Sequence, residues 1–117
     1  MALPLNLSQD YLERLIDSIV GAVPTDSVYV FGSYARGEET AESDLDLYVV
    51  TSDDVERPVE YGKRVRLALP WINPWTAESL PKGKDIVCSS RDVFRRRAGD
   101  ASALEHIVAN EGVKIYG

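Results

Sequence analysis

The chain has 117 residues, of which 44% are hydrophobic and 27% charged, a balance typical of a soluble globular domain. This length suffices for one domain with a modest core, and residues 1–117 contain no repeat, low-complexity tract or linker that would divide them. The formal net charge of −6 argues against a protein that binds nucleic-acid backbones directly, because such proteins usually present a basic face. Binding of a single nucleotide through metal ions remains compatible with this charge.

The sequence also indicates where the protein works. Its one cysteine, Cys88, cannot form an internal disulfide, which suits a reducing compartment. No apolar run approaches the roughly 20 residues needed to span a membrane. The first ten residues lack the basic start and long apolar stretch of a signal peptide. We therefore expect a cytoplasmic protein.

The N-terminal part predicts a helix followed by a strand. Ser8 is suited to cap the helix, which Gly21 and Pro24 end. Apolar residues recur at helical spacing and predict a core-facing stripe: Tyr11, Leu12, Leu15, Ile16, Ile19 and Val20. The apolar run Val28–Phe31 then predicts a first strand that leads directly into a Gly-Ser turn.

The middle of the chain predicts a short helix and a second strand. The helix should run from Ser33 to about Arg36, and a polar, acidic loop should cover Gly37–Ser43. Leu45–Val50 is nearly continuous in apolar residues, which predicts a central strand.

The rest of the chain alternates between helical and strand patterns. The predicted elements are a helix over Val55–Leu69, a strand over Asp85–Cys88, helices over Arg91–Ala98 and Ala103–Asn110, and an edge strand over Val113–Tyr116. Ser90 is suited to cap the helix that begins at Arg91. This alternation predicts one α/β (α+β) domain.

Two carboxylates stand at the head of the second strand. Residues two apart on a strand point to the same face, so Asp44 and Asp46 should project together while Leu45 and Leu47 point toward a core. Two like charges at this spacing raise the pKa of one group unless a cation intervenes. Mg²⁺ is the cation that combines carboxylate oxygens with substrate phosphates.

The turn before the short helix offers backbone groups that can bind phosphates, which the carboxylates cannot do. Gly32 allows close approach of a ligand to the backbone, and the helix that follows offers free N–H groups to phosphates. Taken alone, an Asp-x-Asp pair is most often a solvated strand end, and Gly-Ser is usually only a turn. The combination predicts metal and phosphate chemistry.

The stretch GSYARGEETAESDLDLYVV, from Gly32 to Val50, carries a family resemblance. Gly-Ser, ten residues and then Asp-x-Asp resembles the signature of the nucleotidyltransferase superfamily that includes DNA polymerase β. The fuller pattern is similar to the minimal nucleotidyltransferase (MNT) branch, and the resemblance covers most of the chain. It implies the polymerase β-like fold, with a small mixed sheet, helices mainly on one face and the active site at the sheet's edge.

The resemblance implies roles for individual residues. The family places a third carboxylate on a neighbouring strand, and Asp85 matches that position. Asp44, Asp46 and Asp85 would then hold two Mg²⁺ ions, with ATP as the substrate and its triphosphate completing the coordination. Ser33 would bind the β- and γ-phosphates, and Gly32 would leave room for them.

Other polar and aromatic residues leave alternatives open. Arg36 is expected either near the bound nucleotide or paired with an acidic residue of the following loop. His106 is expected to be structural, and Ser43 to cap a turn. The segment from Pro70 to Lys84 is longer than the usual link in this family and contains both tryptophans. We expect Trp71 and Trp75 either to pack in the core or to form an exposed docking surface.

The resemblance also implies a partner. MNT proteins commonly pair with a helical HEPN ribonuclease toxin in a hetero-oligomer and neutralise it by transferring AMP from ATP to one of its tyrosines. We expect no acceptor-binding domain like that of larger relatives within these 117 residues, so the acceptor would come from such a partner. Two alternatives are a non-catalytic antitoxin that masks the toxin by binding, and a nucleotidyltransferase acting on a small molecule.

Overall fold

The structure, a computed structural model, describes residues 5–40, 42–52, 58–69 and 83–117. In chain order the elements are α1 (Gln9–Ala22), β1 (Thr25–Phe31), α2 (Ser33–Arg36), β2 (Leu45–Thr51), α3 (Pro58–Ala68), β3 (Lys84–Ser90), α4 (Arg91–Ala98), α5 (Leu104–Glu111) and β4 (Val113–Tyr116). Each of these elements was predicted within a few residues. Trp71 and Trp75 lie outside the described residues. Both alternatives for them, core packing and docking, therefore stay predictions.

The strands form one mixed sheet in the order β3-β2-β1-β4. β1 pairs antiparallel with both β2 and β4, whereas β2 and β3 are parallel. A parallel pair needs a long crossover connection, and α3 lies within the connection from β2 to β3. The sheet therefore places β2 inside, as its apolar sequence predicts, and β4 at an edge.

Both faces of the sheet are covered by helices. On one face, Leu45, Leu47 and Val49 of β2 pack with α1 and α3 in the larger core. On the other face, Tyr48 and Val50 pack with α4 and α5 in a smaller cluster. The predicted α/β class and mixed sheet are confirmed, but the helices are shared between the faces rather than confined mainly to one. The reason is that β2 carries large apolar side chains on both sides.

A buried polar network ties the second face together. The Tyr48 hydroxyl donates to Glu105 Oε2 at 2.6 Å and lies 2.7 Å from the Ser89 hydroxyl. Arg97 Nε donates to the other Glu105 oxygen at 2.7 Å, so the buried carboxylate is charged, hydrogen-bonded and paired. Through the bonded pair Tyr48 and Glu105, this network connects β2, β3, α4 and α5.

Smaller predictions about caps are also confirmed. Ser8 accepts a hydrogen bond from the Tyr11 N–H at 3.1 Å, and Ser90 accepts one from Val93 at 3.3 Å. His106 Nδ1 lies 2.9 Å from the Ala98 carbonyl oxygen and so joins α5 to the end of α4, a structural contact.

Among the helices that the structure describes, none is long and apolar enough to cross a membrane.

Candidate active site

The end of β1 forms one wall of the site. Gly32 has φ +72° and ψ −149°, a backbone conformation that is essentially restricted to glycine. A Cβ atom at this position would collide with Asp46 Oδ2, so the absence of a side chain gives the carboxylate its place. The chain then turns into α2, whose first residue is Ser33. The Gly-Ser turn and the second aspartate of the Asp-x-Asp pair are therefore in direct contact.

The strand register brings a further carboxylate to the same level. Asp46 pairs with Phe31 of β1 on one side and with Asp85 of β3 on the other. Since β2 and β3 are parallel, residues paired in this way direct their side chains to the same face. Asp46 is half-buried, whereas Asp44 and Asp85 are exposed. The three carboxylates lie on the same face as Tyr48 and Val50, which pack with α4 and α5.

The electrostatics of Asp46 reflect this crowding. Burial raises the pKa of Asp46, and the neighbouring charge of Asp85, a hydrogen bond with Asp85 and the charge of Asp44 raise it further. Arg36 acts in the opposite direction and lowers the same pKa. The charged form of Asp46 is thus held at a cost in free energy, which a bound cation would remove.

Asp44 lies against a second glycine. A Cβ atom at Gly83 would be 2.7 Å from Asp44 Oδ1 and 3.3 Å from its Cγ. The Gly83 carbonyl oxygen accepts a hydrogen bond from the Leu45 N–H at 2.9 Å, which fixes the start of β3 beside the start of β2. The Asp-x-Asp pair therefore has a glycine on each side, Gly32 next to Asp46 and Gly83 next to Asp44.

Arg36 is paired with an acidic residue of the following loop, which is one of the two alternatives, and its place near a nucleotide stays a prediction. Its Nε lies 3.0 Å from Glu38 Oε2 in an ion pair on the surface, where the Arg36 side chain is 46% exposed. Its charge also reaches Asp46, as the pKa of that carboxyl shows. Because an exposed ion pair contributes at most about 1 kcal/mol, the guanidinium can leave Glu38 for a ligand at little cost.

Ser43 has the structural part expected of it. Its hydroxyl accepts a hydrogen bond from the Thr40 N–H at 2.8 Å and so closes the acidic loop before β2.

The carboxylates have the chemistry that Mg²⁺ requires, but they do not enclose an ion by themselves. Within the described ranges, no three His, Cys, Asp or Glu side chains are grouped closely enough to hold a metal. Mg²⁺ is usually bound through one or two carboxylates together with substrate phosphates and water, so it does not need such an enclosure. Among the described residues, the exposed or half-buried carboxylates, with a glycine beside each aspartate of the pair, fit a metal that arrives with a nucleotide.

A cavity of about 220 Å³ lies on the opposite face of the sheet, lined by Arg66, Leu69, Lys84 and Ile86. Burial lowers the pKa of Lys84 within it. Because Lys84 and Asp85 are consecutive on β3, their side chains point to opposite faces. This cavity is therefore separate from the carboxylates.

Two features were missed from the sequence. The contact of Gly83 with Asp44 follows from the parallel register, since pairing Asp85 with Asp46 places Gly83 beside Asp44. A strand prediction that includes register would have found it. No sequence pattern indicated the hydrogen bond between Tyr48 and Glu105, because the two residues lie 57 positions apart.

Comparison with known proteins decides the family. The family model described as a nucleotidyltransferase domain matches residues 12–110. The chain belongs to the nucleotidyltransferase domain family. The family expected from the Gly-Ser and Asp-x-Asp pattern is therefore confirmed. As a member of this family, the protein is a nucleotidyltransferase. A comparison with curated protein sequences finds no significant match.

Solved structures are similar to this nucleotidyltransferase to different degrees. A toxin-antitoxin crystal structure with AMP-PNP is 21% identical, with a TM-score of 0.59 over 91% of this chain and 73% of the other. A mutant MntA-HpeT toxin-antitoxin structure, with two aspartates changed to glutamate, is 18% identical, with a TM-score of 0.56 over 91% and 72%. A putative nucleotidyltransferase from Sulfolobus solfataricus is 19% identical, with a TM-score of 0.49 over 74% and 70%.

Proposed function

We propose that this nucleotidyltransferase is the antitoxin of a toxin–antitoxin pair and that it transfers AMP from ATP to a tyrosine hydroxyl of a HEPN ribonuclease toxin. The observation that carries the proposal is the placement of Asp44, Asp46 and Asp85 on one face, beside the Gly32–Ser33 turn. Support for the partner comes from fold neighbours that were crystallised as toxin-antitoxin complexes, one of them with AMP-PNP.

Each residue of the site has a task in this proposal. Asp44 and Asp46 would hold Mg²⁺ together with the triphosphate, and Asp85 would complete the site of a second Mg²⁺ and accept the proton of the acceptor hydroxyl. Bound Mg²⁺ would supply charge neutralisation for the attacking and leaving oxygens of an in-line displacement. The Ser33 hydroxyl donates to the β- and γ-phosphates. Gly32 keeps the approach to them open.

Asp46 and Arg36 adjust the charge of the site to the nucleotide. The pKa of Asp46 is raised by burial and then by Asp85 and Asp44, so the charge of Arg36 compensates the Asp46 carboxylate only in part. Arg36 has an exposed, weakly held partner in Glu38, so it can turn toward a phosphate when ATP binds. In this proposal, both residues gain further favourable interactions when the metal–nucleotide complex binds.

A transfer assay tests the proposal. The protein is incubated with Mg²⁺, ATP labelled at the α-phosphate and a candidate HEPN toxin, sought among the proteins encoded next to its gene, and the labelled residue is located by mass spectrometry. We expect AMP on a tyrosine of the partner, with release of pyrophosphate and loss of the partner's ribonuclease activity. Inhibition without label would instead indicate an antitoxin that acts by masking. Label on a small molecule, with the partner unmodified, would indicate the third alternative.

A further inference from the structure

The first aspartate of the pair has a neighbour with no assigned task. We infer that Gly83 is a positioning residue for Asp44: by having no side chain, it lets the Asp44 carboxylate stand at the head of β2 beside Asp46. The inference deepens the proposed function and rests on it for the role of Asp44. Its geometric content, that Gly83 determines where this carboxylate lies, concerns the protein alone.

The backbone fixes Gly83 relative to Asp44. Leu45 pairs with Lys84 in the parallel register of β2 and β3, and the Leu45 N–H donates to the Gly83 carbonyl oxygen at 2.9 Å. Gly83 cannot move away from the start of β2 without breaking this hydrogen bond. The sheet therefore fixes the position of the Gly83 backbone relative to the start of β2.

The side chain of Asp44 occupies the space that this arrangement leaves. A Cβ atom on Gly83 would lie 2.7 Å from Asp44 Oδ1, closer than real Cβ contacts come. An added methyl group would therefore displace the carboxylate. Gly83 is outside the set of described glycines with positive φ, so alanine fits its backbone conformation without strain.

The cost of that displacement falls on the site and not on the fold. The atoms that must move are the end of an exposed, flexible side chain, and Leu45 and Leu47 keep their places in the core. A shift of about 1 Å in a positioning group can reduce a rate about a hundredfold. Alanine at position 83 should therefore separate function from stability. The same change at Gly32 would disturb both, because of its positive φ.

The test uses Gly83→Ala, with Gly21→Ala as the matched control, since a Cβ at exposed Gly21 meets nothing within 4 Å. Mn²⁺ binding in the presence of AMP-PNP is measured by electron paramagnetic resonance, and unfolding is followed by circular dichroism. We expect Gly83→Ala to melt like the wild type but to bind Mn²⁺ about 10- to 100-fold more weakly, the range for groups that orient a metal ligand. Gly21→Ala should retain wild-type affinity.

A double-mutant cycle shows whether Gly83 acts through Asp44. In an Asp44→Asn background the carboxylate is already gone, so Gly83→Ala should cause no further loss of Mn²⁺ affinity. The same loss in both backgrounds, unchanged affinity in the single variant, or unfolding of that variant would each overturn the inference.

A crystal structure of Gly83→Ala decides the geometric point without any ligand. An Asp44 carboxylate in its wild-type position would overturn the inference, and a displaced one would support it. Wild-type protein that binds Mn²⁺ and AMP-PNP but transfers no AMP would refute the proposed function and leave this inference standing.

Discussion

The carboxyl groups of Asp46 and Asp85 lie side by side on two parallel strands, paired at the same level of the sheet. Parallel pairing of two acidic residues is unfavourable for folding by itself, because like charges opposite each other repel. Burial and this repulsion raise the pKa of Asp46. The site is therefore a place where the fold gives up some stability to keep negative charge together.

The first prediction is that Asp46→Asn raises the melting temperature at pH 7. A carboxyl whose pKa is raised in the folded state favours folding only while protonated, and that contribution is lost as the pH rises through the folded pKa. The gain should therefore shrink as the pH falls below the ordinary value of 3.8. Thermal unfolding at pH 7 and pH 3.5 measures it. Asp17→Asn, at an exposed position of α1, serves as the control. A lower melting temperature for Asp46→Asn at pH 7 would contradict the prediction.

The second prediction concerns Mg²⁺ and ATP. The protein should bind Mg²⁺ weakly alone and ATP with Mg²⁺ more tightly, because the triphosphate supplies part of the coordination. Asp44→Asn should reduce nucleotide transfer by orders of magnitude without unfolding the domain, since Asp44 is exposed and Leu45 and Leu47 provide the packing. Titration calorimetry and a transfer assay measure the two effects. Wild-type transfer by this variant, or by wild-type protein in excess chelator, would refute the metal mechanism.

The third prediction compares two glycines with positive φ. Gly37 has φ +70° and ψ 25°, and a Cβ there meets nothing within 4 Å, so Gly37→Ala should cost only about 1–2 kcal/mol of backbone strain. Gly32→Ala adds a collision with Asp46 to a backbone conformation that is essentially glycine-only. We expect it to destabilise more and to abolish nucleotide binding. Urea denaturation of both variants gives the comparison, and equal costs would show that the Asp46 contact is unimportant.

The fourth prediction concerns the buried network on the same face. Burial favours the neutral form of Glu105, but hydrogen bonds from Tyr48 and Arg97 outweigh it and lower its pKa. A lowered pKa means that the stabilisation is present above the ordinary value of 4.5 and is lost as the pH falls through the folded pKa. Glu105→Gln should cost about 1–3 kcal/mol at pH 7, and the difference from wild type should shrink toward pH 3. Exposed Glu111→Gln is the control, and a pH-independent difference would contradict this account.

The fifth prediction concerns the partner. A protein with net charge −6 can be steered toward a ribonuclease with a basic surface, and both tryptophans fall in one proline-bracketed stretch. We expect the partner to co-purify with wild type and with Asp44→Asn, since docking and chemistry use different residues. The Trp71→Ala/Trp75→Ala variant should lose the partner. If that variant stays folded and binds as well as wild type, the docking surface lies elsewhere.

The order of elements and the proximity of the Gly32–Ser33 turn to the Asp-x-Asp pair could be predicted because both depend on local patterns. Helical spacing from Tyr11 to Val20, the cap at Ser8 and the apolar run after Asp44 each act within a few residues. The Gly32–Ser33 turn and the Asp-x-Asp pair are close in sequence and contact each other because only a short helix and loop separate β1 from β2. Local chemistry was sufficient to place them.

What could not be predicted depends on contacts between distant residues. The division of helices between two faces is decided by Phe94 and Val108, whose partners on β2 lie more than forty residues earlier. Tyr48 reads as an ordinary apolar strand position, and its bond to Glu105 exists only once α5 has docked. The contact between Gly83 and Asp44 similarly requires knowing the strand register.

Apolar and acidic side chains alternate between the two faces at the start of β2, and this has a consequence for how such a protein can evolve. Leu45, Leu47 and Val49 point into the larger core, while Asp44 and Asp46 stand on the other side of the same strand. A single base change can therefore remove a carboxylate and leave the folded scaffold, and any surface that grips a partner, as it was or slightly more stable. One mutation can therefore produce an inactive variant that still binds its partner, whereas regaining catalysis requires a carboxylate at the same position.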